Sequence, residues 1–576
     1  MARPPSSPRA LAAARGDIPA DLLLRGGKVL AAATREWVRT DLAVCDGVVC
    51  GWGPRDADQV VDVDGCALTP GLIDAHMHLE STKLWVDQFV AAVLPHGTTA
   101  VAADPHEIAN VAGVPGVAAL VEASRLLPFT FGVSASSCVP ASPFESPGAS
   151  LGPEEIGVLL DELGAIGLAE VMDFPGVVAG DPLVRAKIAR AGYRRVDGHA
   201  PGLAGRRLDA YIAAGVESDH EGTTLEEAEE RRRKGMWVFV RQGSASRDLA
   251  ALIPTVARHG TDLVALCTDD REPDTLLDVG HVNDCVRLAV HHGIPEVDAF
   301  VLATANPAAY HGFHHLGGLG PGQQADVCVF DRLETFEPAA VYHAGRLVAR
   351  QGELVAGAVP RLAAPTALRD TVHLGTPPAA ADLDHCLAPG TRVRVIGVSA
   401  GTLSTANLEL QVDDPEVDLA RLAVVERHRA TGRVGLGLVS GLGLRDGALA
   451  STVGHDAHNV TLAGARGPGG PADMAVAVRR LAELGGGQVV VRDGRILAEL
   501  ALPLAGLMSD RPLGEVAAAA TRLQSVAAEV LGVTIPAPFM TLSFLGLSVI
   551  PRLRLTDRGL LDVEAFDLTS LEVAPR

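Results

Sequence analysis

Two histidines one residue apart, His76 and His78, close the run Pro70-Gly71-Leu72-Ile73-Asp74-Ala75-His76-Met77-His78. Alternate residues of a strand point to the same side, so a strand here aims both imidazoles in one direction. Two neutral imidazoles at that spacing can hold one metal ion. The pair alone is a weak signal, equally consistent with two hydrogen-bonded polar residues, and gains weight only from company. Company follows: Glu170 in Gly167-Leu168-Ala169-Glu170-Val171-Met172-Asp173, His199 after Asp197-Gly198, His220 in Asp219-His220-Glu221, and Asp269 after Cys267-Thr268. Singly, Glu170 also reads as a barrel ion pair, and His199 and His220 as structural hydrogen bonders. Together, His76, His78, Glu170, His199, His220 and Asp269 suit two divalent ions about 3.5–4 Å apart. Such a donor set predicts two ions per chain, manganese or iron, with zinc also accepted.

These side chains meet only if the elements carrying them converge. Eight β-rich runs, at residues 72–76, 98–104, 129–135, 168–174, 196–200, 215–220, 237–242 and 263–268, alternate with helical segments such as 154–163 and 225–234. Strands alternating with helices predict an α/β chain with a (β/α)8 TIM-like barrel, whose chemistry sits at the C-terminal ends of its strands. The candidate ligands fall at those ends. Residues 18–70 and 317–361 alternate strands and turns and predict one small β-sandwich built from both flanks of a barrel at 71–316. A Pro- and Ala-rich linker near 360–382 opens a further α+β domain, 362–576, with helices at 472–484 and Leu513–Leu531 and an expected core of its own.

Composition narrows the partners. Hydrophobic residues at 48% and charged residues at 21% fit a globular enzyme rather than a disordered or fibrous chain. A formal charge of −21 repels a phosphate backbone and disfavours nucleic acid or an anionic membrane. Eight scattered cysteines without a CxxC pair predict reduced core thiols and a cytoplasmic setting. Residues 1–17, containing Pro, Ser and Arg without a long apolar run, read as a flexible tail. The expected partners are a small substrate and water, within a homo-oligomer.

The segment 70–78, the strand-end ligands and the strings Ala303-Thr304-Ala305-Asn306-Pro307-Ala308 and Pro321-Gly322-Gln323-Gln324-Ala325-Asp326 resemble the amidohydrolase superfamily. Longer strings resemble the adenine deaminases within it: His76-Met77-His78-Leu79-Glu80-Ser81-Thr82, His96-Gly97-Thr98-Thr99, Asp104-Pro105-His106-Glu107-Ile108-Ala109-Asn110-Val111 and Cys267-Thr268-Asp269-Asp270-Arg271. The stretches 447–459 and 538–544 are similar to that family's appended domain, so the resemblance spans nearly the whole chain. It implies that a metal-activated hydroxide adds to C6 of adenine, giving hypoxanthine and ammonia, with Asp269 accepting the water's proton. Many two-metal relatives bridge their ions with a carboxylated lysine, but no lysine lies between Lys83 and Lys187. A bidentate Glu170 is therefore the expected bridge.

Proton transfer to the ring and to the departing amine falls to Glu107 and His106, with Asp104, Asp270, Glu80 and Ser81 expected to bind substrate. Asp270 is expected to face purine N7, by analogy with adenosine-type deaminases. Glu107 has a plainer reading, a carboxylate favouring a helix N-terminus. The cluster His455-Asp456-Ala457-His458-Asn459 reads as a polar turn structuring the last domain, with a lid over the active site as the other reading, and His281 is left open between roles. His291, His292, His314 and His315 read as surface or core residues. A cyclic-amide hydrolase of the same superfamily is the alternative, although those relatives usually need the bridging lysine. A non-enzymatic relative should have lost ligands that this chain keeps.

Overall fold

Eight short parallel strands form a ring in the computed structural model, which describes residues 6–415 and 417–573. They are β1 (Leu72–Met77), β2 (Thr98–Ala103), β3 (Thr130–Val133), β4 (Gly167–Val171), β5 (Arg195–Gly198), β6 (Ser218–Asp219), β7 (Trp237–Arg241) and β8 (Val264–Cys267). β1 to β3, β4 with β5, and β6 to β8 pair in parallel ladders. Backbone hydrogen bonds join the ladders: among them, Ala135 N–H donates to Gly167 O at 2.8 Å and Ala169 N–H to Ala135 O at 2.8 Å, and Glu217 N–H donates to Val196 O at 2.9 Å. The ring closes between β1 and the end of β8, where Asp269 N–H donates to His76 O at 3.0 Å and His78 N–H to Asp269 O at 3.2 Å.

All six residues of β1 are buried, as expected of barrel strands packed inside and covered by helices outside. Phe313 fills the barrel beside Ile73 and Ala100. Gly132 makes room for it, since a Cβ there would stand 2.4 Å from the Phe313 ring. β6 is shorter than the expected run 215–220: Gly215, at φ +108°, turns the chain, and the ladder begins only at Ser218. The following helix, Leu225–Arg233, opens on a capping box in which Thr224 Oγ accepts from Glu227 N–H and the Glu227 carboxylate accepts from Thr224 N–H. Glu226 and Glu227 sit in the first turn and its arginines in the last, matching the helix dipole.

Both flanks build the expected sandwich. One sheet orders Val48–Trp52, Leu42–Cys45, Ala20–Arg25 and Ala57–Asp62. The second pairs Ala67–Pro70 from before the barrel with Val327–Phe330 from after it, antiparallel. Leu24, Val29, Val44, Leu68 and Val329 share the core between them. The tail reading needs correction. Pro8–Arg15 is a helix, N-capped by Ser7, whose Ala10 and Ala13 are buried against Leu23, Ala43 and Cys50. Ser-Pro is a helix start rather than a mark of disorder, and alanines three apart give that helix one apolar face. The rest of the tail reading, on residues 1–5, lies outside the described residues.

The last region forms an eight-stranded sheet ordered Ala406–Gln411, Arg392–Gly397, Val434–Ser440, Ala420–Val425, Val460–Ala465, Ala448–Ser451, Gly487–Arg492 and Arg495–Ala501. Helix Gly470–Leu484 covers one face and makes a separate core from Met474, Val478 and Leu481 against Ala450, Leu462 and Val489. The opposite face overturns the expectation of a wholly separate core: Leu422, Val424, Leu449 and Val490 join the same apolar cluster as Leu72 and Val101 of the barrel. The physical reason is that Val460–Ala465 is buried along its whole length, leaving no wet face. Helix Pro538–Phe544 and the loop after it seat Met540, Phe544, Leu547 and Ile550 on Cys138 and Met172, over the strand ends. Among the described residues no helix is long and apolar enough to cross a membrane.

One buried pair ties β5 to β6. The Asp219 carboxylate lies 2.6 Å from Arg231 Nε, and its Oδ1 accepts from Ala200 N–H at 2.8 Å. Arg231 also donates to Ala200 O at 2.8 Å. Removing the carboxylate strands a buried cation, so Asp219→Ala is expected to cost about 3–5 kcal/mol, read as a fall in the urea midpoint. An unchanged midpoint would show that Arg231 finds another partner or water.

Candidate active site

The mouth of the barrel gathers six residues from five strand ends. β1 presents His76 and His78, both buried, with rings 4.9 Å apart. His220, just past β6, stacks on His76 at 4.1 Å between centroids. Glu170, in β4, stands between them. Its Oε1 is 3.3 Å from His78 Nε2 and 3.9 Å from His76 Nε2, while its Oε2 is 2.6 Å from His199 Nδ1 and 3.4 Å from His220 Nε2. Asp269 Oδ1 adds to the first group, 3.1 Å from His78 Nε2 and 3.6 Å from His76 Nε2. The donors therefore fall into two sets that share one carboxylate.

The arrangement fits a pair of divalent ions. The Nε2 atoms of His76 and His199 are buried without a hydrogen-bond partner, a costly state unless each faces a ligand. His78 Nδ1 lies 3.1 Å from Asp104 O, which makes it the donor and leaves Nε2 with a lone pair toward Glu170 and Asp269. Burial alone would raise the Glu170 carboxyl, but the charges of His220 and His199 hold it well below the usual range. Burial opposes ionisation of Asp269 too, and is outweighed by His76, His78 and Arg241.

Asp269 reaches this place by a turn rather than by regular alternation. β8 ends at Cys267, and Asp269 adopts φ +59°, rare for a residue with a Cβ. Its two backbone bonds to β1 hold that conformation. Below it, Asp74 of β1 accepts from Thr268 Oγ1 at 2.5 Å and from Thr268 N–H at 3.1 Å. Burial pushes Asp74 up to about 7. His281, left open between roles, lies behind this junction with its ring nitrogens 3.2 Å from Asp74 Oδ2 and 3.1 Å from Thr98 Oγ1, and so has a structural place.

Arg241 escaped the sequence reading. It ends the apolar run Trp237-Val238-Phe239-Val240, where an arginine ordinarily reads as the solvent end of a strand. Here it is buried, pairs with Glu221, and places Nη1 2.9 Å from Asp269 Oδ2 and Nη2 2.9 Å from Asp248. By taking Oδ2 it leaves Oδ1 of Asp269 to the imidazoles. Glu221, next to His220 and 3.6 Å from its Nε2, was likewise missed.

The expected proton-transfer and substrate residues divide. His106, Glu107 and Asp270 line a small chamber of about 30 Å³ with His78, Glu170 and Asp269. Asp104, Glu80 and Ser81 stand beside it. Asp104 Oδ2 is 3.0 Å from His106 Nδ1, Glu80 Oε1 accepts from Ile108 N–H at 2.9 Å, and Ser81 Oγ donates to Asp270. Burial and the neighbouring Glu107 lift Glu80 to about 7. Burial and Asp269 raise Asp270 as well. The structural reading of the 455–459 turn is corrected: His455 and Asp456 line the chamber, and His455 and His458 both contact Glu107. Sequence separation hid this contact, since His458 and Glu107 lie 351 residues apart.

Comparison with known proteins agrees with this assembly. Residues 67–348 match the Amidohydrolase family and residues 400–567 the Adenine deaminase C-terminal domain. Over 570 residues the chain is 45% identical to an adenine deaminase of Nitratidesulfovibrio vulgaris, covering 97% of this chain and 98% of that one. It is 42% identical to an adenine deaminase of Desulfatibacillum aliphaticivorans (97% and 99% covered) and 41% identical to adenine deaminase 2 of Carboxydothermus hydrogenoformans (97% and 98% covered).

Protein produced with manganese or iron is expected to hold about two ions per chain by elemental analysis. His76→Asn and His199→Asn should each lower this content, and full occupancy in either would overturn the ligand assignment. Arg241→Gln, which frees Asp269, should weaken metal affinity by about 10–100-fold in a chelator competition, as is usual when support for a ligand is lost.

Proposed function

We propose that this site hydrolyses adenine to hypoxanthine and ammonia, from the premise that the chain belongs to the adenine deaminase family of amidohydrolases. The observation that carries the reading is the unbroken two-set donor cluster about Glu170, in a chain matching adenine deaminases from end to end. His76, His78 and Asp269 would hold one ion, His199 and His220 the other, and Glu170 both. When bound, two divalent cations, manganese or iron with zinc also accepted, supply the Lewis acidity that brings the pKa of water towards neutrality.

The chain's own residues then move the protons. Asp269 Oδ1, kept ionised by His76, His78 and Arg241, takes a proton from the attacking water as its oxygen adds to C6. Glu107, held as a carboxylate by His455, His458 and His106, relays a proton from the His106 imidazolium to a ring nitrogen; Asp269 then passes its proton to the amine, which leaves as ammonia when the C6–N bond breaks, and the C6 hydroxyl proton returns through Glu107 to His106 as the carbonyl forms. Asp270, held by Ser81, faces the five-membered ring of the purine, with Glu80 and Asp104 steadying the residues around it. Leu403, Phe544, Leu547 and Ile550 wall the chamber and exclude bulk water. A chamber near 30 Å³ is far smaller than the roughly 300–1,000 Å³ usual for small-molecule pockets, so admitting a purine requires this wall to move. We place the enzyme in the cytoplasm on the support of its cysteines, all free and six of them buried.

Loss of adenine absorbance with stoichiometric ammonia release tests the reading, and a metal-loaded protein that releases none would refute it. Adenine should be turned over far better than adenosine, because a ribose at N9 would demand a larger displacement of the apolar wall than the free base does; equal rates would place the protein with other deaminases. Asp269→Asn should lower kcat by about 10²–10⁴-fold, the range for a lost general base, beyond any effect of metal content. Asp270→Asn should mainly raise KM, as for a contact shared by ground and transition states. The reverse pattern would exchange the two roles.

A further inference from the structure

Besides its apolar wall, the appended domain brings polar side chains to the catalytic chamber on the loop of residues 454–459, between the strands Ala448–Ser451 and Val460–Ala465. A loop carrying two imidazoles, a carboxylate and an amide belongs at a surface, yet His455, Asp456, His458 and Asn459 are each 5% exposed or less. Buried polar groups need partners. Several come from the barrel. Asn459 Nδ2 donates to Ser146 O at 3.1 Å, while His455 Nδ1 contacts Glu107 Oε1 and His458 Nε2 contacts Glu107 Oε2. His106 Nε2 lies 3.3 Å from Oε1, so both oxygens of Glu107 face imidazole nitrogens.

The protonation of His458 is legible from its other nitrogen. Gly454 N–H donates to His458 Nδ1 at 3.1 Å, so Nδ1 is the acceptor and the ring proton resides on Nε2. That proton points at Glu107 Oε2. His458 sits at φ +52°, a conformation disfavoured for a residue with a Cβ, and is held there by its N–H donating to Gly454 O at 2.7 Å and by Arg427 Nε bonding to its carbonyl. His455 is fixed by stacking flat on Phe544, with centroids 4.4 Å apart and planes at 8°.

We propose that His458 is a positioning residue for turnover: its Nε2–H captures Oε2 of Glu107 and thereby directs Oε1 towards His106 and the substrate. His455 backs the same carboxylate from the other side. The appended domain thus completes the proton-transfer half of a site whose metal-binding half lies wholly in the barrel. The proposal rests on the adenine reading only in assigning proton transfer to Glu107.

Three variants of the full-length, metal-loaded protein test it. His458→Phe keeps the bulk and removes the donor, and should lower kcat by about 10²-fold with KM within about threefold and the metal content unchanged. His458→Gln places an amide N–H near the position of Nε2 and should restore most of the lost kcat. Combining His458→Phe with Glu107→Gln should cost no more than Glu107→Gln alone, because one residue acts through the other. A downfield imidazole N–H proton resonance, lost in His458→Phe and shifted in Glu107→Gln, reports the contact independently of adenine turnover. That signal with an inactive wild type would refute the adenine reading and leave the contact standing. Full activity of His458→Phe, or no recovery with His458→Gln, would overturn the proposal. So would a third ion per chain that Asp456→Asn removes, since His106, Glu107, His455 and Asp456 are close enough to hold a cation.

Discussion

A carboxylate buried to 1% exposure cannot remain ionised without compensation, and Glu170 sets that requirement for the whole barrel mouth. Its two oxygens need different partners, so the ends of β1, β5 and β6 must arrive on opposite sides of β4. Short strands accomplish this because each need only carry one or two polar residues to the rim before turning. The supports are aimed at the same end. Tyr211 OH accepts from His199 N–H at 3.0 Å and donates to Val171 O at 2.7 Å, fastening β5 to β4 beside the bridge. Asp219 and Arg231 do the same between β5 and β6, and Asp74 between β1 and β8.

Charge follows a similar division. The two-set cluster holds two carboxylates and four imidazoles, and a pair of dications would leave an excess of positive charge at the chamber floor. Glu221, Asp248 and Arg241 lie beyond Asp269 as a mostly anionic group that offsets it. Arg241 within that group keeps Glu221 and Asp269 from repelling one another. Its desolvation is large, and three carboxylates compensate it.

Most barrel strands are legible as short apolar runs followed by a polar residue, β5 and β6 being the polar exceptions, and five strand ends bear metal-ligand side chains. What stayed hidden has physical causes. β6 was drawn too long because Gly215 looks like part of a strand until its positive φ is seen. The inward turn of Asp269 depends on a left-handed backbone conformation, which pleat alternation does not foretell. Arg241 could not be told from a surface cation, because only burial distinguishes them. The helix Pro8–Arg15 has one buried face only two alanines wide, too faint a pattern against a Pro- and Ser-containing background. The 455–459 loop was misread because its partner lies across two domains, a contact that no local pattern encodes.

The chamber also explains why the appended domain shares a core with the barrel. A domain that merely covered a finished site could be joined by a polar, separable interface. This one supplies imidazoles to Glu107, an apolar wall through Phe544 and Leu547, and a continuous apolar cluster running from Leu72 to Val490. A proton donor works only if its distance to the acceptor holds to a few tenths of an ångström, and a hinged interface could not guarantee that. Rigid docking is thus the structural condition for placing half of the proton-transfer machinery on a different domain from the metal ligands. Within the wall the residues differ in this respect: Phe544 is stacked on His455 and so tied to Glu107, whereas Leu403 lies on the loop between the strands Arg392–Gly397 and Ala406–Gln411.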